Sequence, residues 1–177
     1  MVLSNEEVKQ LLVKALSGNS CSQLQLGDYY KHKLKNHNLA FNWYKKSADT
    51  GNIDALFEVA EAYIFGHGIK KDRYKAFEYC KKAGLKGHKY AQFELASFYN
   101  YGIECKCTIN KTKALEWYKK AAENGLIEAY YSIGMFYEEQ NLINKALKWY
   151  FLPAKENHMN AQNRMGMCYK KLADSEE

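Results

Sequence analysis

One interval governs this chain. An alanine is followed 11 positions later by a turn residue, four times over: Ala40 and Gly51, Ala76 and Gly87, Ala114 and Gly125, Ala146 and Asn157. A small residue then always comes 4 positions on, and a tyrosine 8 after that, ending at Tyr63, Tyr99, Tyr137 and Tyr169. Only the link from tyrosine to the next alanine varies, at 10, 13, 15 and 9 positions. Rigid blocks joined by variable links are the mark of packed repeats whose insertions collect along one edge.

Each block reads as two amphipathic helices and a turn. Helix A runs small-x-x-x-apolar-small-x-x-Tyr, from Ser22, Ala55, Ala91, Ala129 and Ala161. Helix B opens Ala-apolar-x-aromatic, with Trp43, Tyr79, Trp117 and Trp149 as the aromatic. At about 100° per residue, the outer small residue, the apolar residue and the tyrosine of helix A share one face. The inner Gly or Ala lets a neighbouring helix come close. Gly18, Gly51, Gly87 and Gly125 suit the left-handed residue that ends a helix. With 47% apolar residues and a single proline, the expected class is all-α and ordered. Pro153, inside the fourth helix B, is expected to kink or shorten it.

These residues resemble the Sel1-like repeat, a relative of the tetratricopeptide repeat. Ala55 to Gly87, with Phe65-Gly66-His67-Gly68-Ile69-Lys70-Lys71-Asp72, and Ala114 to Gly125 carry the pattern best. Cys80 departs from it, standing where tyrosine is usual. The resemblance implies a right-handed α-α superhelix with A helices on the concave side. We read one domain over 1–177: an N-terminal helix at 5–17, repeats at 20–52, 53–88, 89–126 and 127–158, and a terminal helix at 159–172. It also implies a non-catalytic adaptor for another protein or peptide, without a cofactor.

The concave face is the first candidate site. Relative to each tyrosine, the positions six before, two before and one after lie opposite the core. They give an aromatic stripe of Phe57, Phe93 and Tyr131, bordered by Asp28, Glu61 and Asn100, with Met135 beside it. Aromatics supply much of the energy in such contacts. The competing reading is that they pack between adjacent A helices.

Other features carry less. Lys45-Lys46, Lys81-Lys82 and Lys119-Lys120 would align as an outer ridge able to meet a polyanion. The face is expected to hold no interleaved aromatics, so nucleic acid is not the expected partner. The net charge of +6 permits acidic partners without requiring them. Cys105 and Cys107 have neither the spacing nor the second pair that zinc needs, and are read as oxidisable loop thiols. No histidine pair, phosphate loop or nucleophile motif points to an enzyme. The regular cysteine pairs of some Sel1-like proteins linked to hydrolytic activity are missing. Met165, Met167, Cys168 and Tyr169 make the last helix either a cap or a surface for a partner or a second copy. The N-terminal stretch lacks the marks of a secretory leader and no span is long enough for a membrane, so a cytoplasmic or nuclear setting is expected.

Overall fold

The structure, a computed structural model, describes residues 5–102 and 109–174. Among them ten α-helices follow one another without a strand. α1 is Asn5–Leu16 and α2 is Ser20–Asp28, which runs on into a π-helical turn, Tyr29–Lys33. Then come α3 (His37–Asp49), α4 (Ile53–Phe65), α5 (Arg73–Leu85), α6 (Lys89–Tyr101), α7 (Lys111–Glu123), α8 (Ile127–Glu139) and α9 (Ile143–Lys155). These seven are each 13 residues long, and α10 is Met159–Ala173. The A helices are α2, α4, α6, α8 and α10; the B helices are α3, α5, α7 and α9.

Each helix packs chiefly on the ones before and after it in the chain, which defines a solenoid. The small residues are what permit this. Ala55, Ala76, Ala91, Ala129, Ala146 and Ala161 are fully buried. Around them lie successive cores holding Val59 and Leu95, then Ile133, then Tyr150, which join through the partly buried Tyr99, Trp117 and Tyr137.

The B-to-A turns share one hydrogen-bond scheme. Gly51 N–H donates to Ala48 O and Asn52 N–H to Ser47 O; Gly125 and Leu126 repeat this with Ala122 and Ala121. This is a Schellman closure, which needs a left-handed residue. Gly51 and Gly125 take it at φ 88° and 78°, and Asn157 takes it at φ 62°. In the fourth unit the His158 N–H donates to Pro153 O. Pro153 therefore does not shorten α9, which has the same 13 residues as its siblings. It sits in the last turn, with its own carbonyl in the closing bond.

The A-to-B links also share a closure despite their different lengths. The carbonyl of each repeat tyrosine accepts the N–H of the residue that caps the next B helix. The pairs are Tyr30 with Asn36, Tyr63 with Asp72, Tyr99 with Asn110 and Tyr137 with Leu142, at 2.8–3.0 Å. The side chains of Asn36, Asp72 and Asn110 in turn accept an N–H in the first turn of their helices. Leu142 has no such side chain, and α9 begins without that bond. The π turn after α2, closed by Leu34 N–H to Tyr29 O, was not legible in the sequence.

Candidate protein-interaction face

The three A-helix aromatics are half-buried, and each is fixed at its own junction. Phe57 on α4 stacks on His88, with centroids 4.5 Å apart, and lies 6.0 Å from Tyr90. Tyr131 on α8 packs on His158 at 4.9 Å and on Tyr150 at 5.7 Å. Phe93 on α6 meets Tyr118 edge-on at 5.3 Å. The three rings do not touch one another among the described ring contacts, so the stripe is a series of separate inter-helix contacts.

His88 and His158 are themselves N-caps. Their Nδ1 atoms accept the N–H of Ala91 and Ala161, each at 3.2 Å. An aromatic of one A helix thus rests on the cap of the next. Burial holds the His88 imidazole below its ordinary value, against the pull of Asp54 and Glu61. Sequence reading missed this role. The available signal was the capping position three before each helix A small residue, held by Asn19 and Asn52 in the first two repeats and by His88 and His158 here.

A second set of contacts joins successive A helices through charge. Lys31, one after Tyr30 in the π turn that continues α2, donates to Glu58 at 2.6 Å and lies 3.6 Å from Glu61, both on α4. At the fourth junction the polarity is reversed: Glu138 of α8 accepts from Lys171 at 2.9 Å and faces Arg164 at 3.5 Å. Between α6 and α8 the same positions are neutral. Asn100, Ser132 and Met135 line a small pocket there with Tyr101, Tyr118 and Glu139. At the remaining junction, repeat register sets Ile64 where Lys31 stands, and Glu94 and Ser97 where Glu58 and Glu61 stand.

The B helices support these groups from below. Tyr44 donates its hydroxyl to Asp28 at 2.8 Å, and Tyr150 donates to Glu138 at 2.9 Å. Tyr118 shares a hydrogen bond with Ser97 at 3.2 Å. The second repeat has Cys80 at this place, a fully buried thiol whose pKa burial pushes up. Of the expected site residues, Asp28 and Glu61 thus border one acidic cluster, Asn100 and Met135 one pocket, and the aromatics three junctions. A wider groove opens between α1 and the π turn, lined by Leu11, Lys14, Gln25, Asp28, Tyr29 and His32, with charges of both signs.

The outer face differs from expectation. Lys46 lies over Trp43 at 4.2 Å, Lys82 over Tyr79 at 5.3 Å and Lys120 over Trp117 at 4.1 Å. At the half-buried Tyr79 and Trp117 aromatics are therefore interleaved with the lysines, because each pair is three residues apart on one helix, whereas Trp43 is buried in the core. A parallel ladder sets Lys75 over Tyr63, Lys113 over Tyr99 and Lys145 over Tyr137. It explains the lysine before the helix B alanine: its charge covers the tyrosine of its own unit, worth about 0.5–1 kcal/mol at an exposed site.

Cys105 and Cys107 lie outside the described residues. Among the described residues no group of three or more His, Cys, Asp or Glu is placed to hold a metal, and no helix is long and apolar enough to cross a membrane. On α10, Met159, Met167 and Tyr169 are exposed and Cys168 is buried.

The profile of the Sel1 repeat matches residues 22–52, 53–88, 89–126, 127–158 and 160–174. The chain belongs to the Sel1 repeat family. Each complete Sel1 repeat is one A helix and the B helix after it. A Sel1 repeat protein from Oxalobacter formigenes is 30% identical with a TM-score of 0.84, over 93% of this chain and 70% of that one. A protective antigen of uropathogenic Escherichia coli strains, displaying an SLR fold, is 28% identical with a TM-score of 0.86. That match covers 94% of this chain and 37% of the antigen, so this chain spans little more than a third of its length. MamA, 23% identical with a TM-score of 0.59 over 88% of this chain and 90% of its own, shares the fold. Sel1 repeats are generally non-catalytic scaffolds that mediate contacts between proteins.

Proposed function

We propose that this Sel1 repeat chain is an adaptor that receives a segment of another protein on its A-helix face. The observation that carries this is preorganisation. Phe57 and Tyr131 are held on the caps of the following helices, and Lys31 and Glu138 tie neighbouring A helices together. A surface fixed before binding orders the partner more than itself. Asp28, Glu61, Asn100 and Met135 border the aromatics in this reading. The setting we assign is the cytosol or nucleus, on the cysteine usage of the sequence.

The test is site-specific photo-crosslinking in the native cell. A photoreactive residue at Asn100 or Met135 is expected to capture a protein that one at Lys119, on the outer face, does not. Phe93→Ala with Tyr131→Ala is expected to abolish that capture while circular dichroism stays unchanged. Capture from the outer position alone, or no effect of the double variant, sinks the reading.

The interleaved outer face favours one alternative, polyanion binding by Lys82 and Lys120 over their rings. It predicts steeply salt-dependent binding to single-stranded nucleic acid that is lost on reversing Lys81, Lys82, Lys119 and Lys120. Binding indifferent to salt rules it out.

A further inference from the structure

The A-helix face carries a charge opposite to that of the chain. The protein has a net charge of +6. Yet in the first three repeats the positions five before, two before and one after the tyrosine hold Asp28, Glu58, Glu61 and Glu94 against one cation, Lys31. Three residues apart, these positions share one side of each helix.

The structure shows how this face treats a cation that reaches it. Glu58 and Glu61 both take Lys31, at 2.6 and 3.6 Å. Two repeats on, Glu138 takes Lys171 and Arg164. Glu94 occupies the half-buried position of Glu58 and has no ion pair or hydrogen bond among the described residues, because Ile64 stands where Lys31 would. Arg73 is near enough to act on its charge but lies over the Phe98 ring at 5.7 Å. Burial, and then the Glu61 charge, push the Glu94 carboxyl above its usual range. A carboxylate left so is costly in the free protein and rewarded by a cation that arrives from outside. Aromatic surface is available beside it. Phe93 is its neighbour in sequence, and the exposed Tyr90 is one turn earlier on the same helix.

We propose that Glu94 pairs with a lysine or arginine of the bound segment, so that the A-helix face of the first three repeats receives a basic stretch of another protein. This rests on the docking reading above and names the chemistry of the occupant. Glu61, already shared with Lys31, widens the acidic ground around the pairing point.

The test is selection from a random peptide-display library on the intact chain, alongside Glu94→Lys and Glu94→Gln, with folding checked by circular dichroism. Wild type is expected to enrich peptides with Lys or Arg at a fixed distance from an apolar residue. Glu94→Lys is expected to switch that position to Asp or Glu. Glu94→Gln is expected to weaken a selected peptide by about fivefold or more, the scale of one partly desolvated ion pair. Glu123→Gln on the outer face is expected to leave binding unchanged. Two outcomes overturn the inference but leave the docking reading standing. One is peptides that need Phe57 and Phe93 yet show no basic preference. The other is a basic preference that both Glu94 variants retain. If no selected peptide is weakened by Phe57→Ala with Phe93→Ala, both ideas fall. Sedimentation showing a second copy held on this face would also overturn it.

Discussion

The ring of Tyr150 fills the space that a side chain on Gly134 would need, with Cε1 and Cδ1 against the missing Cβ. Tyr44 does the same over Gly27. Where the B helix carries Cys80 instead, the inner small residue of the repeat is Ala60. The third repeat sets Ala96 in the register of Tyr118, so the close approach of ring to backbone belongs to the first and fourth repeats, where the inner residue is glycine. Gly134→Ala is expected to cost about 1–3 kcal/mol, the usual penalty of overpacking. Tyr150→Cys should cost less in the Gly134→Ala background than in wild type. Urea denaturation of the four proteins measures this as a double-mutant cycle, and additive effects would refute the coupling. Gly166 has nothing within 4 Å of its would-be Cβ. Gly166→Ala should therefore be neutral or stabilising by up to about 1 kcal/mol.

Gln23 and Gln92 occupy the same place in their repeats but differ in satisfaction. Both donate to a carbonyl eight residues back, Ala15 and Gly84. The Oε1 of Gln92 also accepts from Asn124 at 2.8 Å, whereas the Oε1 of Gln23 is buried without a partner. Thr50 stands in the register of Asn124. Thr50→Asn is expected to raise stability by about 1 kcal/mol by supplying the missing donor. The same change with Gln23→Met should gain nothing, and chemical denaturation of both distinguishes the cases.

Leu142 opens α9 without a capping acceptor and is partly exposed. Leu142→Asn is expected to add about 0.5–1 kcal/mol. A lower thermal midpoint than wild type would contradict it.

Acid acts on the His88 cap. Protonating Nδ1 removes the acceptor of Ala91 N–H. Asp54, 3.6 Å from Nε2 and exposed, and Glu61 favour the charge. Lys89 opposes it, and burial against Phe57 and Tyr90 prevails. The folded value lies below the ordinary 6.5, so this contribution is full above 6.5 and is lost as pH falls below it. His88→Asn keeps a capping acceptor and removes the titration. Between pH 7 and 5, wild type should lose more thermal stability than His88→Asn, and parallel curves would exclude the mechanism. Burial raises the Glu138 carboxyl, but Lys171 and Tyr150 outweigh that and hold it below its ordinary 4.5, so its own loss falls at lower pH.

Much of the fold was legible because repetition fixes it. The 11, 4 and 8 spacing locates the four B-to-A turns and the buried small residues of the A helices, and Asn157 falls in the glycine column by position alone. The site was legible only in part. Phe57, Phe93 and Tyr131 were found as a series, but what each touches depends on how far one A helix slides along the next. The Lys31 and Glu138 links needed the same inter-helix register. The lysine–aromatic pairs were readable at three-residue spacing. The adjacency of Lys45 and Lys46, and of their counterparts, hides this spacing, since only the second lysine of each pair lies above its ring. Glu94 became visible only once its relatives Glu58 and Ser132 had been placed.

The bond from each repeat tyrosine carbonyl to the next capping amide separates chain length from stack geometry. Links as different as those after Tyr99 and Tyr137 end on the same atoms. An epitope, a protease recognition sequence or a reporter peptide spliced between Tyr137 and Leu142 would leave both ends where they are. One edge of the molecule is thereby a row of insertion points, available for grafting without redesign of the core.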